Sequence, residues 1–307
     1  VLVREALEMP EKRVAVVTPD RALARRIVDH LSRWGVAADD TAGRPLSQTA
    51  AGRLLLLGAE AASGGAAPVA LTALLMHPLA NGGMDRRDWL AQLRVLELAL
   101  RGPRPKEGLA PLAAIVARKA GRHAGLREWW AKVEAVVAPL LALPETLPLA
   151  DALGVVATAA EALAGETLWA REDGRALARF VEELGQTARE AGTRVEIPQL
   201  DLVLRDAMED IAVRPPWGGH ARVAIYGLLE SRMSRADLVI CAGLNEGVWP
   251  ARGAVDPLLA PPVLRALGVP GADFRIGLSA HDLAGALGAP EVVLSRAARD
   301  ESGPAIP

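Results

Sequence analysis

Cysteine is nearly absent: Cys241 is the only one in 307 residues. That excludes an internal disulfide and any cysteine-based metal cluster within this stretch. Set in an apolar run, Cys241 reads as a small buried hydrophobe. Aromatic residues make up only 3% of the chain, and lysines number four against thirty-one arginines. No apolar run approaches the ~20 residues that a helix needs to span a bilayer. The opening VLVREALEMPEKR lacks both an initiator methionine and the charged-then-apolar layout of a signal peptide. Both ends read as cut from a longer, cytoplasmic polypeptide. Excess charge is missing too. The net charge of −2 gives no global basic field, so any DNA contact must come from a local groove. A phosphate-binding GxxxxGK[ST] loop is also lacking.

What is present is alanine and leucine. Hydrophobic residues reach 51%, and much of that is alanine, which favours helices over an all-β design. The length suffices for two domains, each burying its own core.

Three regions follow along the chain. Arg13 to Thr18 reads as a buried strand, and Asp20 is placed to cap the helix that carries Leu23, Ile27, Val28 and Leu31. Gly35 ends that helix and Val36 to Ala38 reads as a second strand, a βαβ pattern within about 30 residues. Next comes a block of helical patterns broken by proline and glycine. The clearest are Asp85 to Leu100, Leu126 to Leu143, Leu149 to Leu163 and Asp173 to Ala191. Strands return at Val223 to Tyr226, Leu238 to Cys241 and Glu291 to Ser295, with a helix near Ala280 to Leu287. The expected fold is α/β: a parallel sheet domain in two pieces, 1–60 and 216–307, split by an all-helical insertion over 61–215.

The loop after Tyr226 carries Glu230, Ser231, Arg232, Ser234 and Arg235, and open α/β sheets bind ligands at such edges. Arg232 and Arg235 can contact the phosphates of a single strand, or pair with Glu230 and Asp237 to hold the loop. Trp249 can stack on a base or pack into the core. Glu246 is placed to cap a neighbouring loop or, less readily, to act in catalysis. His281 and Asp282 have no second histidine at ligand spacing, and His30, His77, His123 and His220 are scattered, so no metal site is expected. Trp89, Trp129, Trp130 and Trp169 fit the core of the helical block. The groups Arg86–Arg87 and Arg101 to Lys106 either face DNA or a partner, or are solvated helix ends.

Two blocks carry a family resemblance. AVVTPDRALARRIVDHLSRWGVAADDTAGRPL resembles the fourth-motif region of UvrD-type helicases. VAIYGLLESRMSRADLVICAGLNEGVWP resembles their fifth-motif region, closing on Gly243-Leu244-Asn245-Glu246-Gly247-Val248-Trp249-Pro250. The resemblance implies the second RecA-like domain of a P-loop NTPase-like motor. The motor chemistry departs from it. Positions that touch DNA phosphate in active members hold Gly227, Leu229, Arg232 and Met233-Ser234-Arg235, and the fourth-motif arginine falls at Pro19, with Arg21 nearby. The sixth-motif arginine finger is replaced within Ala284-Gly285-Ala286-Leu287. The resemblance therefore implies an inactivated motor domain.

Longer phrases, among them LLMHPLANGG, LRGPRP, LWAREDGRALARF and RIGLSAHDLAGALGAPEVVLSRAARDESGPAIP, are similar to the AddB family of alphaproteobacterial type. That likeness implies the partner of an AddA helicase–nuclease subunit in a heterodimer that resects DNA double-strand breaks for homologous recombination. It implies contact with single- and double-stranded DNA ends, no membrane, and a cytoplasmic, nucleoid-associated setting. An iron–sulfur cluster and Mg belong to the family's nuclease domain, expected after residue 307, and no cofactor is expected in this stretch. Catalytic residues are expected to be absent here. The DNA contacts would be Arg232, Arg235 and Trp249, and the degenerate motif Gly227, Glu230, Gly243, Asn245, Glu246, Gly247 and Pro250. Two other readings stand beside this one: a piece of an active ATP-dependent helicase, and a structural docking module without DNA contact.

Overall fold

The computed structural model describes residues 1–103, 105–214, 219–251, 259–300 and 303–304. The expected boundary at 215/216 and Arg104 lie outside them. The chain divides into two compact units, a sheet unit of 1–43 with 214–307 and a helical unit of Arg44–Val213.

The sheet unit is built on five parallel strands: β1 (Val14–Val17), β2 (Asp39–Asp40), β3 (Val223–Tyr226), β4 (Leu238–Ala242) and β5 (Glu291–Ser295). Their spatial order is β2-β3-β1-β4-β5. The central β1 aligns Val14 with Val223 on one side and with Leu238 on the other. Every residue of β1 and β4 is buried, as continuous apolar strands in a covered parallel sheet should be. Side chains alternate between faces. Val14, Val16, Ile225 and Ile240 pack toward α1 (Leu2–Leu7) and α2 (Arg21–Ser32). Ala15, Val17, Val239 and Cys241 pack on the other face with Trp249 and with Leu283 of α13 (Ala272–Ala286), which follows the short helices α11 (Leu228–Ser231) and α12 (Pro261–Ala266) in the chain.

Asp20 caps α2 as its sequence position suggests, its carboxylate accepting from the amides of Ala22 and Leu23 at 2.9 and 3.0 Å. The second strand forms at Asp39–Asp40, not at Val36 to Ala38. The amide of Val36 donates to the Leu31 carbonyl at 3.0 Å and so finishes the helix instead of joining the ladder.

The helical unit is organised by α3 (Ala50–Ser63), in which ten of fourteen residues are buried. Around it lie α4 (Pro68–Met76), α7 (Leu126–Leu141), α8 (Leu149–Ala164), α9 (Arg171–Ala191) and α10 (Leu200–Glu209), with α5 (Arg86–Ala99) and α6 (Leu109–Ala120) packed outside them. A helix apolar all round belongs in the middle of a bundle. Residues 44 to 60 therefore lie in the helical unit, not in the sheet domain to which their position in the sequence assigns them. An unbroken run such as Leu54-Leu55-Leu56-Leu57 signals burial but not which core it enters. Trp89 and Trp129 sit at the bundle centre, fully buried and edge-to-face with ring centroids 5.5 Å apart. No helix among the described residues is long and apolar enough to cross a membrane.

Candidate functional site

The loops after β3 and β4 carry most of the singled-out residues, and among these Asn245, Arg232 and Trp249 are held by other parts of the sheet unit. After β4 the chain turns through Gly243 and Gly247, at φ +83° and +77°, conformations that side-chain-bearing residues rarely adopt. Asn245 between them is buried. Its amide donates to the Ala297 carbonyl at 3.0 Å and its side-chain oxygen accepts from the Ala297 amide at 2.9 Å. Its own carbonyl accepts from the amides of Val248 and Trp249. Asn245 thus ties the loop after β4 to the loop after β5. Glu246 and Pro250 beside it are exposed.

Thr18, at the end of β1, is fully buried, and its hydroxyl accepts from the Asp20 amide at 3.1 Å. Arg21 pairs with Asp40 at 2.6 Å and reaches the Gly43 carbonyl at 3.4 Å. Gly227 leaves room for the Glu230 carboxylate: an added Cβ would stand 2.5 Å from its Oε2.

Of the three expected DNA contacts, two are engaged internally. Arg232 grips Asp282 of α13 with both guanidinium edges, Nε at 2.7 Å and Nη2 at 3.2 Å. The hydrogen bond to this carboxylate raises the arginine further above its usual range. Glu230 and Asp237 are the nearer carboxylates in sequence. Asp237 instead accepts from the Arg13 amide at 2.8 Å, joining the starts of β1 and β4. A signal for Asp282 was available: it shares one helical face with Ser279, Leu283 and Ala286 (i, i+3, i+4, i+7), and an aspartate on a core-facing stripe needs a cationic partner. Trp249 is 5% exposed, lies in the apolar cluster beneath α13, and directs its indole N–H toward the Ser279 carbonyl at 3.5 Å. It fills the core and presents no ring for a base. Arg235 is exposed and makes no hydrogen bond or ion pair to a described residue.

These contacts predict how the sites respond to change. Replacing Arg232 with glutamine leaves the Asp282 carboxylate, 3% exposed, without its counter-charge in a low-dielectric wall. Arg232→Gln should lower the thermal midpoint of the chain, and Arg232→Gln/Asp282→Asn should recover most of that loss. Calorimetry on the three proteins measures it, and additive losses would mean the pair is not coupled.

Arg13 and Arg235 stand at the shared rim of two cavities of the sheet unit, of about 700 Å³ and 490 Å³. The larger lies between the segment Ser231 to Asp237 and α13, over Val17 and Val239. Cys241 lies below this face, its thiol pushed up by burial, and is no reactive nucleophile. Among the described residues no three histidine, cysteine or acidic side chains gather to hold a metal ion.

In the helical unit the segment LLMHPLANGG is structural. The Trp89 indole donates to the Leu75 carbonyl at 2.9 Å, and the amides of Asn81 and Gly82 both donate to the Leu163 carbonyl. Arg86 donates to the carbonyls of Ala80 and Met76, so it braces this turn, and burial lowers its pKa. His77 is 8% exposed and is held neutral, its pKa lowered to about 4 by burial and then by the charges of Arg53 and Arg86. No protein-family model and no curated protein matches the chain.

Proposed function

We propose that this chain is a helicase-like, ATPase-inactive part of an AddB-type subunit. The subunit would act with an AddA-type helicase–nuclease to resect DNA double-strand breaks in the bacterial cytoplasm. The parallel α/β sheet, with a helical block between its two halves in sequence, supports a RecA-like domain of P-loop NTPase ancestry carrying an insertion. One observation carries the inactive reading: the carboxyl edge of the sheet, where a motor handles nucleotide, is closed on itself. Asn245 ties to Ala297, Arg21 to Asp40 and Thr18 to Asp20. A phosphoryl-transfer site needs cationic groups aimed at the γ-phosphate, each worth several powers of ten in rate. Here the arginines at that edge are held by carboxylates. The iron–sulfur cluster and Mg would belong to a nuclease region of the same subunit.

A scaffold of this kind would meet single-stranded DNA only through side chains left exposed, of which Arg235 is the foremost. The internal use of Arg232 and Trp249 favours a second reading, a docking module without DNA contact. One experiment separates the possibilities. The intact chain is assayed for ATP turnover with and without single-stranded DNA, and for strand affinity as wild type and Arg235→Gln. The scaffold predicts no turnover and about a tenfold affinity loss in the variant, the value of one charge-assisted contact. DNA-stimulated turnover would mean a working helicase. Unchanged affinity would leave the docking module.

A further inference from the structure

The cavity of about 700 Å³ has a built chemical character that the scaffold reading does not use. Its floor is apolar and made of short side chains: Val17, Val239, Ala236, Ala286, Ala289 and Pro290. Its mouth carries Arg13, Arg232, Arg235 and His281. The two carboxylates in its wall are already engaged, Asp282 by the Arg232 guanidinium and Asp237 by the Arg13 amide. Arg13 and Arg235 have no side-chain partner among the described residues, and both are exposed at the rim. Backbone bonds between Arg13 and the Asp237–Leu238 amides fix the rim where these two strands begin. The hydroxyls of Ser231 and Ser234 donate to the carbonyls of Leu228 and Ser231, so toward a ligand they act as acceptors.

We infer that this cavity binds a phosphate-bearing ligand of mononucleotide size, with its phosphate between Arg13 and Arg235 and its flat body on the apolar floor. The volume falls in the range of small-molecule pockets, and an apolar slot with a few convergent polar groups is their usual make-up. A planar guanidinium matches phosphate oxygens in geometry as well as charge. The serine acceptors suit the hydroxyl or amino donors of a nucleoside. The rim of the site stands where β1 and β4 begin, and its floor runs along the face of the sheet to Val17 at the end of β1. The same chemistry is offered by a free nucleotide and by the phosphorylated terminus of a DNA strand.

Calorimetric titration of the intact chain tests this with four probes: dAMP, inorganic phosphate, and an oligothymidylate with and without a 5′-phosphate. Saturable binding of dAMP, weakened about a hundredfold in Arg13→Gln/Arg235→Gln at about tenfold per arginine, establishes the site with free nucleotide as its source. Binding of the phosphorylated oligonucleotide alone, with the same loss in the variant, establishes it with a strand end as the source. Gly285→Leu supplies an independent check. A Cβ at Gly285 meets nothing within 4 Å, so leucine there fills the slot without entering the core. It should abolish binding while leaving the circular dichroism unchanged and the thermal midpoint no lower. Equal binding of inorganic phosphate and dAMP would overturn the nucleotide assignment. Absence of binding, or binding indifferent to both variants, would overturn the site.

Discussion

Gly52→Ala should destabilise the helical unit by about 3 kcal/mol, the upper range for forcing extra volume into a packed interior. For a unit of this size that lowers its thermal midpoint by roughly 10 °C. An alanine Cβ at position 52 would lie 1.9 Å from the Leu46 carbonyl oxygen and 2.9 Å from the Met208 methyl. The methyl can swing away. The carbonyl cannot, because it accepts from both the hydroxyl and the amide of Thr49, at 2.8 and 3.1 Å, while the Leu46 amide donates to Ile211 at 2.8 Å. Moving it would unseat Leu46, which is fully buried, and the cap that Thr49 places on the Gly52 amide. The same exchange at Gly154, exposed within α8 with open space at its Cβ, should instead stabilise by about 0.5–1 kcal/mol through helix propensity. Thermal unfolding followed by tryptophan emission, dominated by the buried Trp89, Trp129 and Trp130, reads both effects. A Gly52→Ala protein as stable as wild type would mean that the approach of Leu46 to α3 is not tight.

The contrast between these glycines marks what could be seen in the sequence. Strands flanked by turn residues were legible because a covered parallel strand is a short continuous apolar run: Val14–Val17, Val223–Tyr226 and Leu238–Ala242 all lie where the letters put them. The amphipathic helices beginning near Asp85, Leu126 and Leu149 were legible for the corresponding reason, their period of 3.6. Long-range choices were not. Nothing local tells whether Leu54 to Leu57 serve the sheet or the bundle. Nothing local sends Arg232 to Asp282, fifty residues on, in preference to the nearer Glu230 or Asp237. The turn after β4 announced its glycines but not the partner of Asn245, which lies beyond β5. By its local sequence Trp249 can meet a base or the core, and α13 packed over it holds it in the core. In each case a competing contact of equal chemistry was available, and only the packing of distant segments chose between them.

His77 should make the helical unit more acid-sensitive than an otherwise matched protein with asparagine there. In the folded chain the imidazole titrates at about 4; its ordinary value is 6.5. Above pH 6.5 it is neutral in both the folded and unfolded chain and adds no pH dependence. Between 6.5 and 4 the unfolded chain takes up a proton that the native chain refuses, so stability falls as pH falls. The full penalty, about 3 kcal/mol at 1.36 kcal/mol per unit, is present below pH 4. Burial is the main cause, with Arg53 and Arg86 adding repulsion, and Arg86 cannot retreat because two backbone carbonyls hold it. His77→Asn retains an acceptor for the Leu79 amide, which now reaches Nδ1 at 3.3 Å, and suits the extended backbone required before Pro78. Urea unfolding of both proteins across pH 7 to 4 isolates the effect, since every other titrating group cancels in the difference. The two stability curves should run together near neutrality and separate steadily in acid, with the asparagine protein the more stable. Curves that stay parallel would place a protonated imidazole comfortably inside the fold, and with it a counter-charge or a path to water beside His77.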